Sequence, residues 1–146
     1  MSVVQRFAVV LCLAATGACA SSSEKGAGPS PVVSINPDFV VDNAKADAGG
    51  HVWRTKACFV CHTLGDAGTS ARMPAPDLGG VAERREIAWI KQFLLHTDTM
   101  IDSDPIANAL YKQYNYTRMP NMRLTEEQAE NLIHYLQQQT EKKRAS

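Results

Sequence analysis

Cys58-Phe59-Val60-Cys61-His62 decides how the rest of this chain is read. Two thiols three positions apart with an imidazole directly after the second form the attachment signal for a c-type haem. Each thiol can make a thioether to one vinyl group of the ring. On a short helical turn the two sulfurs bracket one edge of the porphyrin, and the histidine reaches the iron from the proximal side. Two other chemistries use paired cysteines. A redox dithiol sits near a strand-helix-strand pattern, which this sequence lacks. A structural zinc site takes four ligands. The remaining thiols, Cys12 and Cys19, fall in a segment that reads as an export signal, so His62 would leave the zinc set one short.

Upstream of the motif, residues 1–18 carry one early charge (Arg6), an apolar run from Phe7 to Leu13, and then small residues, the layout of a secretory signal. The run is too short to span a bilayer. Ala15-Thr16-Gly17-Ala18-Cys19 resembles the bacterial lipobox, in which the cysteine is lipidated and becomes the new N-terminus; Thr16 stands where that pattern has leucine. Cleavage after Ala18-Cys19-Ala20 is the competing reading. Either route exports the protein. Residues 19–43 then form a tether, Ser/Gly/Pro-rich in its first half. Its second half holds Val32, Val33, Ile35, Phe39, Val40 and Val41, which are expected to pack across their own domain or to strap onto a partner subunit.

The chain has 146 residues and a formal net charge of +0, which sets an expectation of one small domain. Removing 1–18 takes away Arg6 and no acid, leaving about one net negative charge. That balance argues against a nucleic-acid binder, which would carry a basic excess. Lys56, Arg72, Arg118 and Arg123 are the bases that could collar a haem edge, and Lys142, Lys143 and Arg144 make a basic tail over 141–146.

Downstream and upstream of the motif the pattern predicts four helices and no strand. The first runs from about Asp47, its expected N-cap, to Ala57, with Val52 and Trp53 as its apolar patch. After His62 comes a breaker-rich loop, Gly65 to Gly80, containing Pro74-Ala75-Pro76-Asp77-Leu78-Gly79. A ligating imidazole needs its second ring nitrogen held by an acceptor, and Pro76 is the candidate carbonyl. The second helix covers Arg84 to His96, with Ile87, Ile90 and Leu94 on one face and Trp89 and Phe93 widening it. The third runs from Pro105 to Tyr114, with Asp104 as cap, proline at the first position, and Ala107, Leu110, Tyr111 and Tyr114 inward. The fourth opens on the capping box Thr125-Glu126-Glu127-Gln128 and buries Ala129, Leu132, Ile133 and Leu136.

A haem that carries electrons keeps both axial positions filled, and a thioether raises its potential. Of five methionines, Met1 leaves with the signal, Met73 lies close to His62 in sequence, and Met100 follows the second helix without a rigid frame. Met119, braced by Pro120 between two capped helices, is the preferred sixth ligand. Met122 is its nearest rival, and His51, His96 and His134 are the other donors available.

With these residues in view, 44–140 resembles a class I monohaem cytochrome c. The resemblance rests on Cys58-x-x-Cys61-His62, Pro76-Asp77-Leu78-Gly79, Met119-Pro120-Asn121 and Leu124-Thr125-Glu126-Glu127, with Leu132, Tyr135 and Leu136. It implies an all-α fold on one covalent haem c, His62 and Met119 as axial ligands, and Pro76 accepting from His62. It also implies a tight crossing of first and last helices at Gly49, Trp53 and Tyr135, and places Trp89 near a haem propionate. Asp104 to Leu136 looks like lipoprotein-type bacterial cytochromes that accompany terminal reductases and oxidases. The implied function is one-electron transfer on the periplasmic side of a bacterial membrane, tethered through Cys19. The partners would be redox proteins, or a respiratory complex of which the chain is a fixed subunit, with no small-molecule substrate. A sensor or enzyme with a displaceable sixth ligand is the third class, and nothing in the sequence beyond the haem supports it.

Overall fold

The computed structural model describes residues 35–65 and 74–146, which belong to one unit, Val32–Ser146. The signal, Cys19, most of the tether, Arg72 and Met73 lie outside the described residues. The frame is a crossing of two helices from opposite ends of the domain, α1 (Asn43–Thr55) and α6 (Glu126–Ala145). At the crossing Gly49 lies against the Asn131 backbone; a Cβ there would run into the Asn131 carbonyl and come 2.8 Å from Tyr135 Cβ. Glycine is what permits the approach. Trp53 and Tyr135 meet beside it with ring centroids 6.0 Å apart. The buried stripe of α6, Ala129, Leu132, Ile133 and Leu136, is the one its periodicity predicts. Its start is the predicted capping box: Gln128 N–H donates to Thr125 Oγ1 at 3.2 Å, and Thr125 N–H to Gln128 Oε1 at 3.1 Å.

α1 begins one turn earlier than Asp47. Asp42 is the cap, accepting from the N–H groups of Ala44 (2.9 Å) and Lys45 (3.2 Å), and Asp47 sits exposed within the helix. Asp42 wins because the chain arriving there is already tied down. Its own N–H donates to His134 Nδ1 at 3.1 Å, and Phe39 stacks on His134 at 4.8 Å. The described part of the apolar tether thus packs on its own domain, with Ile35 and Val40 left exposed.

The expected helix Arg84–His96 is two helices, α2 (Val81–Arg84) and α3 (Ile87–Leu95), with Arg85 and Glu86 extended between them. Asn36 accounts for the break: its amide donates to the carbonyls of Ala82 (2.5 Å) and Arg85 (2.9 Å) and accepts from Ile87 N–H (3.4 Å). A distant side chain supplies the hydrogen bonds that a continuous helix would have made internally. The next helix, α4 (Thr97–Ser103), is absent from the sequence reading. Its polar sequence buries only Thr97 and Ile101, too little for a periodic signal. Met100 therefore stands on a helix, not in an unframed loop. α5 (Pro105–Gln113) has the predicted cap, Asp104 accepting from Ile106 N–H (3.0 Å) and Ala107 N–H (2.8 Å). The basic tail is the last turn of α6, where Arg144 pairs with the buried carboxylate of Glu83. The described residues form six α-helices in place of four, with no strand among them and no helix long and apolar enough to cross a membrane.

Candidate functional site

Ala57, in a left-handed conformation (φ 54°), turns the chain out of α1 into the 3₁₀ turn Cys58–Val60. Cys61 and His62 both donate their N–H to the Cys58 carbonyl, at 3.2 and 3.0 Å. One tight turn thus carries both free thiols and the imidazole, and leaves Phe59 and Val60 exposed.

His62 Nδ1 lies 2.8 Å from the Pro76 carbonyl. A carbonyl only accepts, so Nδ1 carries the hydrogen and Nε2 keeps its lone pair. Burial pulls the His62 pKa below its ordinary value, against the upward pull of the Pro76 carbonyl and the Asp77 charge. The ring is held neutral, the form that binds a metal. Asp77 fixes the loop that presents this carbonyl: it accepts from Gly79 N–H (2.8 Å), Gly65 N–H (2.8 Å) and Thr63 Oγ1. Leu78 N–H completes the clasp on the Thr63 carbonyl at 2.9 Å.

Beside the turn lies a cleft with two lobes, about 320 Å³ and about 150 Å³, sharing Cys58, His62, Phe93, Leu110 and Met119 in their walls. The walls are mostly apolar: Ile101, Ala107 and Tyr111 on the larger lobe, and Trp53, Ile90, Leu132 and Leu136 on the smaller. The sequence reading placed most of these in the core, and in a domain this small the core and the cleft wall are largely the same residues.

Met119 is half-buried and faces both lobes, while Met122 lines only the larger one. Met100 lines neither. His51 and His96 are exposed, and His134 is engaged with Asp42 and Phe39 away from the cleft. Trp89 lines the smaller lobe. It stacks on Phe93 at 5.4 Å with Arg85 5.9 Å from its ring centroid, and its Nε1 is buried without a partner among the described residues. A buried N–H left unpaired costs free energy, and an acceptor on a group filling the lobe would relieve it. Of the basic collar, Arg118 is matched by Asp98 and Asp102, and Lys56 donates to the Met122 carbonyl at 2.9 Å.

Two free thiols, a neutral imidazole with an open nitrogen, a thioether, apolar walls and an orphaned indole N–H in one helical shell fit a covalently attached haem. They define the class: a small all-α haem protein of the c type. The sequence model of the family described as Cytochrome c matches residues 46–140, and the chain belongs to that family. It is similar to a cytochrome c from Rhodothermus marinus at 33% identity, over 70% of this chain and 83% of that one, with a TM-score of 0.62. An engineered cytochrome c from the same organism, bound to a carbene intermediate, is 32% identical over 78% and 91%, with a TM-score of 0.59. The cytochrome c domain of the pp3183 protein from Pseudomonas putida is 35% identical over 66% and 92%, with a TM-score of 0.56. No curated protein matches significantly. Membership makes this an electron-transfer haem protein and implies covalently bound haem c.

Proposed function

We propose that the chain is a one-electron carrier with a single haem c held by Cys58 and Cys61, ligated axially by His62 and Met119. In this reading it is exported and tethered by lipid on Cys19 to the periplasmic side of a bacterial membrane, and serves respiratory-chain redox partners. The observation that carries the reading is the pair of cleft residues: His62, oriented by the Pro76 carbonyl at 2.8 Å, and Met119, which borders the same two lobes.

When bound, the haem supplies the reversible one-electron couple. The chain supplies the rest. Cys58 and Cys61 would hold the haem covalently, and the Pro76 carbonyl keeps His62 in the tautomer whose Nε2 would be offered to iron. Met119 brings a thioether, which favours the reduced state and raises the potential. Trp89 Nε1 is placed to donate to a haem carboxylate. The apolar lobes exclude water. With Phe59 and Val60 exposed beside Cys58 and Cys61, the turn itself would be the contact for the weak, transient docking that redox partners use.

The test is the absorption spectrum of the ferric protein, wild type beside Met119→Ala. A weak long-wavelength sulfur-to-iron charge-transfer band in wild type, lost in the variant, is the expected result. Its absence from wild type would remove Met119 from the iron and reopen the displaceable-ligand class. The tether is tested separately. Wild type should need detergent for release from membranes and Cys19→Ser should not, since several acyl chains anchor firmly where one does so marginally. Release of wild type by salt alone would exclude the lipid anchor.

A further inference from the structure

The segment that carries Met119 has almost no support of its own. Among the described residues no backbone-to-backbone hydrogen bond holds 118–124. It is entered through Asn115 and Tyr116, consecutive non-glycine residues at φ 54° and 59°, a conformation that local preference opposes. What holds the segment is side chains. The Arg118 guanidinium donates to Asp102 on α4, sits 3.5 Å from the Asp98 carbonyl oxygen and 4.0 Å from its carboxylate, and lies 5.4 Å over the Tyr111 ring. On the other flank of Met119-Pro120, Asn121 donates to the same Asp98 carboxylate at 3.4 Å and accepts from Arg123 N–H at 2.9 Å. Lys56 holds the Met122 carbonyl from the end of α1. Tyr111 in turn takes Tyr116 edge-on at 5.3 Å.

We propose that Arg118 is a positioning residue: with Asp98 and Asp102 it latches the Met119 segment onto α4 and sets how readily the sixth position opens to an outside ligand. The inference rests on Met119 as sixth ligand. An isolated surface ion pair would do little. Here one planar fork spans two carboxylates and a ring face at once, on a segment with no competing backbone bonds, so local opening of that segment is what the latch resists. α4 is a fitting anchor because Ile101, which it buries, also lines the larger lobe.

The test uses the full-chain ferric holoprotein, with imidazole as the incoming ligand and the sulfur-to-iron band as readout. Arg118→Gln, and independently Asp98→Asn with Asp102→Asn, should bind imidazole about tenfold faster than wild type. Arg118→Lys, which keeps the charge but not the fork or the stacking, should fall between. The thermal midpoint should move little, because the latch lies outside the α1–α6 frame. If Arg118→Gln fails to load haem, the acid-side variant reads the same latch. Rates within twofold of wild type in the variants that load, with the band present in wild type, overturn the latch while leaving Met119 as ligand. A wild type without the band overturns both.

Discussion

On the His62 side of the cleft the parts come from neighbouring stretches of chain: one turn presents both thiols and the imidazole, and one loop, clasped by Asp77, presents the Pro76 carbonyl. On the Met119 side, the residues that matter are spread over the end of α1, α4, α5 and the loop itself, and among the described residues they meet through Lys56, Asp98, Asp102, Tyr111 and Asn121. The first wall is local in sequence and closed by covalent bonds when haem is attached. The second is held by contacts from distant parts of the chain. On the proposed function, the first side of the haem site would be hard to lose, and the second would open without unfolding the domain.

The largest effect should come from attacking the first wall. Cys58→Ala with Cys61→Ala is expected to abolish stable folding, because the cleft walls are the core and need the haem to fill them. A cooperative thermal transition in the haem-free variant would overturn this. Next comes the frame that carries the motif. Gly49→Ala drives a Cβ into the Asn131 backbone and should cost about 3 kcal/mol in urea unfolding, at the upper end of ordinary overpacking; a loss under about 1 kcal/mol would show that the crossing can spread. Met119→Ala, on the second wall, should keep a cooperative melt while the reduction potential falls. Collapse of the melt would mean that the two walls are not separable.

The smallest effect is a pH dependence where Asp42 and Phe39 meet His134. Burial lowers the His134 pKa, with Lys45 acting the same way and Asp42 and Glu130 opposing. The folded state therefore binds fewer protons than the unfolded one just below the ordinary value of 6.5. Stability should fall as pH drops through that value, because a protonated imidazole cannot accept from Asp42 N–H. His134→Gln should flatten the slope between pH 7.5 and 5.5; an unchanged slope would assign the acid sensitivity to other groups.

How much was legible follows the same division. The turn with Cys58, Cys61 and His62, the Asp104 cap, the Thr125 capping box and the α6 stripe are all written in short spacings, because local backbone chemistry fixes them. α4 was missed because it buries only two residues. The break at Arg85 and Glu86 was missed because Asn36, some fifty positions upstream, satisfies it. The start of α1 was misplaced because His134 fixes the chain at Asp42.

Local sequence carries the all-α class, the haem-attachment turn and the residues from which ligands are drawn, since each depends on neighbours within a turn or two. What needed tertiary packing is the geometry itself: the 2.8 Å between His62 Nδ1 and the Pro76 carbonyl that the sequence names as its candidate acceptor, and the place of Met119, the preferred sixth ligand, in a cleft wall that Met100 does not reach. Packing likewise pairs Arg118 with Asp98 and Asp102 of α4 while it lines the larger lobe. Apart from the His62–Pro76 pair, which a short loop joins, these are contacts between segments far apart in the chain. They are set by how α1 and α6 cross and what packs around them, which no local spacing records.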